Sequence, residues 1–90
     1  MLLLSAAKIF INNLRPDDKA KVLAQLLALG NDRTEGLIIK TLHGKIKELK
    51  VKQIRIVYFR KRNQLYVALA FKKQSQKTPW QIIEQAEKEN

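Results

Sequence analysis

Gln53-Ile54-Arg55-Ile56-Val57-Tyr58-Phe59, then Arg60-Lys61-Arg62-Asn63-Gln64, then Leu65-Tyr66-Val67-Ala68-Leu69-Ala70-Phe71 sets two mostly apolar runs on either side of a polar one. Residues 53–59 are rich in β-branched and aromatic side chains, with Ile54, Ile56 and Tyr58 on one face and Arg55, Val57 and Phe59 on the other. Leu65, Val67, Leu69 and Phe71 alternate with smaller or polar residues in the same way. The polar run Arg60–Gln64 between them reads as a hairpin turn, and its charge discourages edge-to-edge association.

Upstream, the period of two begins after Gly44, so Ile46–Lys52 is a strand before Gln53–Phe59 and Leu65–Phe71. Residues 31–44 read as a loop, with Asn31-Asp32-Arg33-Thr34-Glu35-Gly36 as its turn-rich part. Before the loop the spacing is helical. Ser5 caps a helix over Ala6–Leu14 carrying Ala7, Phe10, Ile11 and Leu14 on one side. Pro16 opens a second helix, Asp17 and Asp18 suit its positive end, and Gly30 and Asn31 end it. Ala20, Leu23, Leu26 and Leu27 are its expected apolar stripe. Downstream, Lys72–Lys77 is a basic loop, and Thr78-Pro79-Trp80-Gln81 opens a last helix with a capping box. Ile82, Ile83 and Ala86 give that helix an apolar face. The expected class is α+β: an N-terminal helical hairpin packed on a small antiparallel sheet, with a short C-terminal helix. Residues 1–90 are expected to form one domain, in keeping with the length of the chain.

Eighteen Lys and Arg against eight Asp and Glu give a net charge of +10. Eleven of the bases lie between His43 and Lys77, where Glu48 is the only acid, and the flanks are balanced. So concentrated a surplus suits a polyanion, with nucleic acid the leading partner. The absence of cysteine excludes a disulfide scaffold, and one histidine, His43, makes no zinc site, so no metal or cofactor is expected. The apolar start Met1–Leu4 is interrupted by Lys8, too early for a signal peptide or a membrane span, so a soluble cytoplasmic protein is expected with no membrane partner.

Gly44 with Ile46-Lys47-Glu48-Leu49-Lys50, then Ile54-Arg55-Ile56-Val57-Tyr58, then Phe71-Lys72-Lys73-Gln74-Ser75-Gln76-Lys77-Thr78-Pro79 resembles the RelE/HigB toxins of type II toxin–antitoxin systems, and within them the phage-derived HigB-like subgroup. The resemblance covers residues 40–87. It implies a RelE-like domain whose first strand is reduced or missing, since only Met1–Leu4 remain for it. It also implies a metal-independent endoribonuclease that cuts mRNA on the ribosome and is held inactive by an antitoxin. Two other functions stay open: a ParE-like toxin acting on DNA gyrase, and a non-enzymatic nucleic-acid-binding module.

Cutting RNA with side chains alone needs a base for the 2′-hydroxyl, charge stabilisation at phosphorus and an acid for the leaving oxygen. Lysines crowded together lower each other's pKa toward that task, and arginine grips phosphate with a fork of donors. Arg55, which breaks an apolar strand and matches the family's arginine, is the leading catalytic candidate, expected on the open side of the sheet. Lys72 and Lys73, Lys50 and Glu48 are expected around it. Lys45, Lys47, Lys52, Lys77 and Tyr66 are expected to bind RNA, the last by stacking. His43 as proton carrier and Trp80 as stacking platform are weaker candidates.

Overall fold

A computed structural model of the chain describes residues 1–73 and 80–89. A two-residue strand β1 (Leu2–Leu3) leads directly into helices α1 (Ser5–Asn12) and α2 (Pro16–Gly30). Strands β2 (Ile38–His43), β3 (Ile46–Val51), β4 (Ile54–Lys61) and β5 (Gln64–Lys72) follow, and helix α3 (Trp80–Glu89) comes last. The five strands form one sheet in the order β1-β5-β4-β3-β2. Strands β2 to β5 are antiparallel and β1 runs parallel to β5, so the sheet is mixed rather than wholly antiparallel. The first strand is reduced to Leu2 and Leu3 but present. The α+β class, the helical hairpin and the terminal helix are all as the sequence implied.

Strand β4 is central, and Ile54 to Phe59 are all buried. Ile54, Ile56 and Tyr58 join Leu49, Val51, Leu65 and Val67 in a core against Ala7 and Ile11 of α1 and Val22, Leu26 and Leu29 of α2. Val57 and Phe59 point the other way, into a second core with Ile46, Ala68 and Ala86 of α3. The expected assignment of the Ile54 face to the first two helices therefore holds, but its reverse is not open: α3 covers part of it.

Several boundaries differ from expectation. Six residues of the expected loop 31–44 form the edge strand β2, closed onto β3 through Gly44 at a positive φ of 55°. Between β3 and β4 the chain turns on Lys52 and Gln53, with Val51 paired to Ile54, so the two expected strands do not abut. The β4–β5 turn is tighter than five residues: only Arg62 and Asn63 lie between the strands, both left-handed, as a two-residue hairpin requires. In β5, Val67 faces Tyr58 and Leu69 faces Val57, so Ala68 is an extra residue, a bulge. It moves Leu69 and Phe71 to the face opposite Leu65 and Val67, and the continuous alternation expected of β5 fails there. Ser5 lies inside α1 rather than capping it, because the Leu4 amide donates to the Val67 carbonyl at 2.9 Å and the Leu4 carbonyl already accepts from Lys8 at 2.9 Å. Thr78 and Pro79, the expected start of the last helix, lie outside the described residues.

Helix α2 is rotated from its expected stripe. Val22, Leu26 and Leu29 are buried, whereas Ala20 is exposed and Leu27 is 64% exposed. Adjacent apolar residues at 22–24 and 26–29 allow more than one stripe, and the sheet takes the branched Val22. Leu26→Ala is expected to destabilise the protein by about 3 kcal/mol and Leu27→Ala by less than about 0.5 kcal/mol in urea unfolding. Equal losses would place α2 at the wrong rotation.

Candidate nucleic-acid interface

Arg55 lies in the middle of the sheet, with Lys50 opposite it on β3 and Phe71 opposite it on β5. It is 9% exposed, and the expectation of an open-side residue is corrected: α3 needs an apolar surface beneath it, and this is the face left over by α1 and α2. A guanidinium taken out of water must be satisfied where it stands. Arg55 Nη1 donates to the carbonyls of Lys52 at 2.9 Å and Ile54 at 3.2 Å, and Nε lies 3.7 Å from Glu48 Oε1. Glu48 is 4% exposed. Among the described residues Nη2 makes no hydrogen bond. The guanidinium is thus held through Nη1 and Nε.

Alternation places the remaining candidates. Lys50 is exposed on the Arg55 face. Lys73 follows Phe71 by two residues, and its amide extends the ladder to the Gln53 carbonyl at 2.8 Å, which puts it on the same side at the sheet end. Lys40, opposite Glu48 on β2, also belongs there. The sequence reading missed it because its strand was read as loop; the β-branched run Ile38-Ile39-Lys40-Thr41 was the available signal.

The other candidates lie elsewhere. Lys72 pairs with Ile54 and faces the helices, so the expected Lys72–Lys73 corner is split between two faces. With Arg15, Asp18 and Lys52 it lines a cleft of ≈ 550 Å³ under α1 and α2. Lys45 and Lys47 line another, of ≈ 620 Å³, with Tyr58 and Arg60. Lys47 sits opposite Tyr58, on the face away from Arg55. Tyr66 stacks on Phe59, with ring centroids 5.2 Å apart and planes 12° apart, at the far end of the α3 face near Lys61 and Arg62. His43 meets the Trp80 ring edge-on at 5.9 Å and lies 3.8 Å from Glu87, which makes it a fastening point for α3. Lys77 lies outside the described residues. Among those described, no group of His, Asp and Glu is arranged to hold a metal ion, and no helix is long and apolar enough to cross a membrane.

Lys52 is engaged as well. Its ammonium donates to Asp18 Oδ1 at 2.8 Å, tying the β3–β4 turn to the first turn of α2. That bond lowers the Asp18 pKa from its ordinary 3.8 and raises that of Lys52.

A family model described as phage derived protein Gp49-like (DUF891) matches residues 9–90. None of the curated proteins matches the chain. Among solved structures, the fold is similar to a chain in the crystal structure of the RelB-RelE antitoxin-toxin complex from Methanococcus jannaschii, with a TM-score of 0.69 over 80% of this chain and 89% of that one. The two sequences are 9% identical over that match, so the likeness is one of fold.

Two predictions follow from the placement of the charges. Arg55→Ala removes a buried guanidinium together with one of the contacts of a buried carboxylate and is expected to cost on the order of 3 kcal/mol, not the ~0.5 kcal/mol of an exposed position. Lys50→Ala is expected to cost no more than about 0.5 kcal/mol in the same urea titration. A fully stable Arg55→Ala would show that the Glu48 contact contributes nothing. The second concerns pH. With its folded pKa lowered, Asp18 contributes stability that is present above its unfolded pKa and lost as pH falls through the folded value. Lys52→Ala should therefore flatten the stability profile below about pH 4; an unchanged acid limb would remove the pair from the account.

Proposed function

Because this chain belongs to the phage-derived Gp49-like (DUF891) family and carries a RelE-like fold, we propose that it is the toxin of a type II toxin–antitoxin pair, a side-chain-driven endoribonuclease acting on mRNA at the ribosome. Residues 1–90 act as one toxin domain in the cytoplasm.

The observation that carries this reading is the fixed guanidinium of Arg55. The carbonyls of Lys52 and Ile54 and the carboxylate of Glu48 fix its plane, and Nη2 is the nitrogen proposed to meet an anion. A donor already fixed in position stabilises developing charge on a phosphoryl oxygen without reorganising at the moment of reaction. Lys50 and Lys73, on the same face, are the groups proposed to move protons to and from the reacting oxygens. Glu48 is proposed as a positioning residue: it lies behind Arg55 and orients it. Lys40 extends the cationic surface along the path of the strand.

The partner fits the same chemistry. An antitoxin with an acidic segment complements a chain of net charge +10, and a disordered acidic segment that folds on contact covers a wide surface. The solved structure of similar fold is a RelB-RelE antitoxin-toxin complex, which supports a partner of that kind here.

Expression without a partner should arrest growth and leave discrete cuts in translated mRNA, read by primer extension. Lys50→Ala, which keeps the fold, should lower cleavage by roughly 10²-fold, the scale of one acid–base group. Arg55→Lys should rescue little, because a point charge does not reproduce the fork. Growth arrest with intact mRNA and inhibited gyrase would replace this reading with a ParE-like one.

A further inference from the structure

We infer that the cleft between α2 and the sheet, on the face opposite Arg55, is a second anion site that takes a nucleotide unit: a phosphate with its attached sugar and base. The inference does not rest on RNA cleavage, because none of its residues belongs to the Arg55 group.

The cleft encloses ≈ 620 Å³, within the usual range for small-molecule sites. Its wall on one side is the end of α2 and the chain after it, with Leu29, Asp32 and Thr34; on the other it is the sheet, with Ile39, Lys45, Lys47, Tyr58 and Arg60. Three of these residues are cations and one is an acid. The acid is already engaged, since Asp32 Oδ1 lies 3.1 Å from Arg60 Nη2. Arg60 also donates to the Leu29 carbonyl at the end of α2. A helix C-terminus repels anions, and here a fixed guanidinium neutralises it. Among the described residues, neither Lys45 nor Lys47 has an acidic partner, so both ammonium groups are available to a ligand.

Tyr58 supplies a third donor. The residue is 4% exposed and its hydroxyl has no hydrogen-bond partner among the described residues. Yet no buried polar side-chain atom described here is unsatisfied, so the hydroxyl must reach open space, and the space it lines is this cleft. Burial of the ring raises its pKa above the ordinary 10.0, so it stays protonated and donates. Two ammonium groups and a hydroxyl suit the three terminal oxygens of a phosphate monoester better than the two of a carboxylate. Ile39, which is only partly buried, adds an apolar surface that a bare phosphate would leave unused and that a ribose or base would cover.

The test is an amide ¹H–¹⁵N titration of the full chain with adenosine 5′-monophosphate. The expected shifts are at Thr34, Gly44, Lys45 and Lys47. The Lys45→Ala/Lys47→Ala double variant should weaken binding at least about tenfold, and Tyr58→Phe about threefold or more, the scale of charge-assisted and neutral hydrogen bonds respectively. Both lysines are exposed, so the double variant should keep the fold. Lys50→Ala should leave the binding unchanged. Parallel titrations with a single-stranded hexaadenylate separate the sources: shifts with the monophosphate mark a free or terminal nucleotide, whereas shifts of the same residues with the hexamer alone would mark an internal phosphodiester and overturn the monoester assignment. Inorganic phosphate binding as tightly as the monophosphate would overturn the nucleotide assignment. So would equal binding of polyglutamate, which would make the cleft a carboxylate site. Shifts confined to the Arg55 face, or a double variant that binds like the parent, would remove the site altogether.

Discussion

The structure turns on the double-sided burial of strand β4. Six consecutive residues, Ile54 to Phe59, are withdrawn from water, and five of them are apolar or aromatic. A strand covered on both faces needs cover from two directions, which α1 and α2 supply on one side and α3 on part of the other. Arg55 is the single ion in that run. It has to be satisfied in place, and it binds the carbonyls of the turn that joins β3 to β4. The same turn carries Lys52, which reaches the first turn of α2 through Asp18. One buried guanidinium therefore connects the central strand, its hairpin and the seating of a helix. Structural and functional roles need not compete for it, since the atom that binds the turn, Nη1, is not the one proposed to meet an anion.

Charge in this chain is concentrated along the sequence but divided in space. Between His43 and Lys77 eleven bases face one acid, a density that reads as one basic patch. The strand period of two breaks it up. Lys47 and Glu48 go to opposite faces, as do Lys72 and Lys73. The surplus is thus carried on both sides of a single sheet, one side around Arg55 and Lys50 and the other around Lys45, Lys47 and Arg60. A polyanion approaching from either side meets positive potential, and the Arg55 side presents a guanidinium that lies beside a buried carboxylate, Glu48.

The periodic parts of the fold were legible in the sequence. Alternation over 46–59 located both strands and assigned Ile54, Ile56 and Tyr58 to the helices, and the helical spacing of Ala7, Phe10, Ile11 and Leu14 located α1. Features that leave no periodic signal were missed. Ile38–His43 is an edge strand whose residues are at best half-buried, so its pattern is faint. Helix α2 has apolar residues at successive positions, and spacing alone does not choose among the stripes they allow. The burial of Arg55 was recoverable by a different route. Ile82, Ile83 and Ala86 give the last helix an apolar face, and once the Ile54 side belongs to the first two helices, only the Arg55 side remains for it. A strand read in isolation gives no such information; the constraint comes from counting faces against the elements that must cover them.

The bulge at Ala68 shows how one unpaired residue sets the composition of the site. Up to Val67, β5 directs its odd-numbered residues toward α1 and α2. Without a bulge that parity would persist, Phe71 and Lys73 would face the helices, and Lys72 would stand on the Arg55 side. With Ala68 inserted, Phe71 comes level with Arg55 on the α3 face, and Lys72 comes level with Ile54 on the other. The bulge therefore gives Arg55 an aromatic neighbour and selects Lys73, not Lys72, as its companion. It also places Lys72 where it lowers the Asp18 pKa alongside Lys52 and Arg15. Alanine at the extra position is small enough to be buried in the second core at 2% exposure, so the shift leaves no large side chain to accommodate. Two adjacent lysines that look interchangeable in the sequence are thus given different environments by an alanine four residues before the first of them.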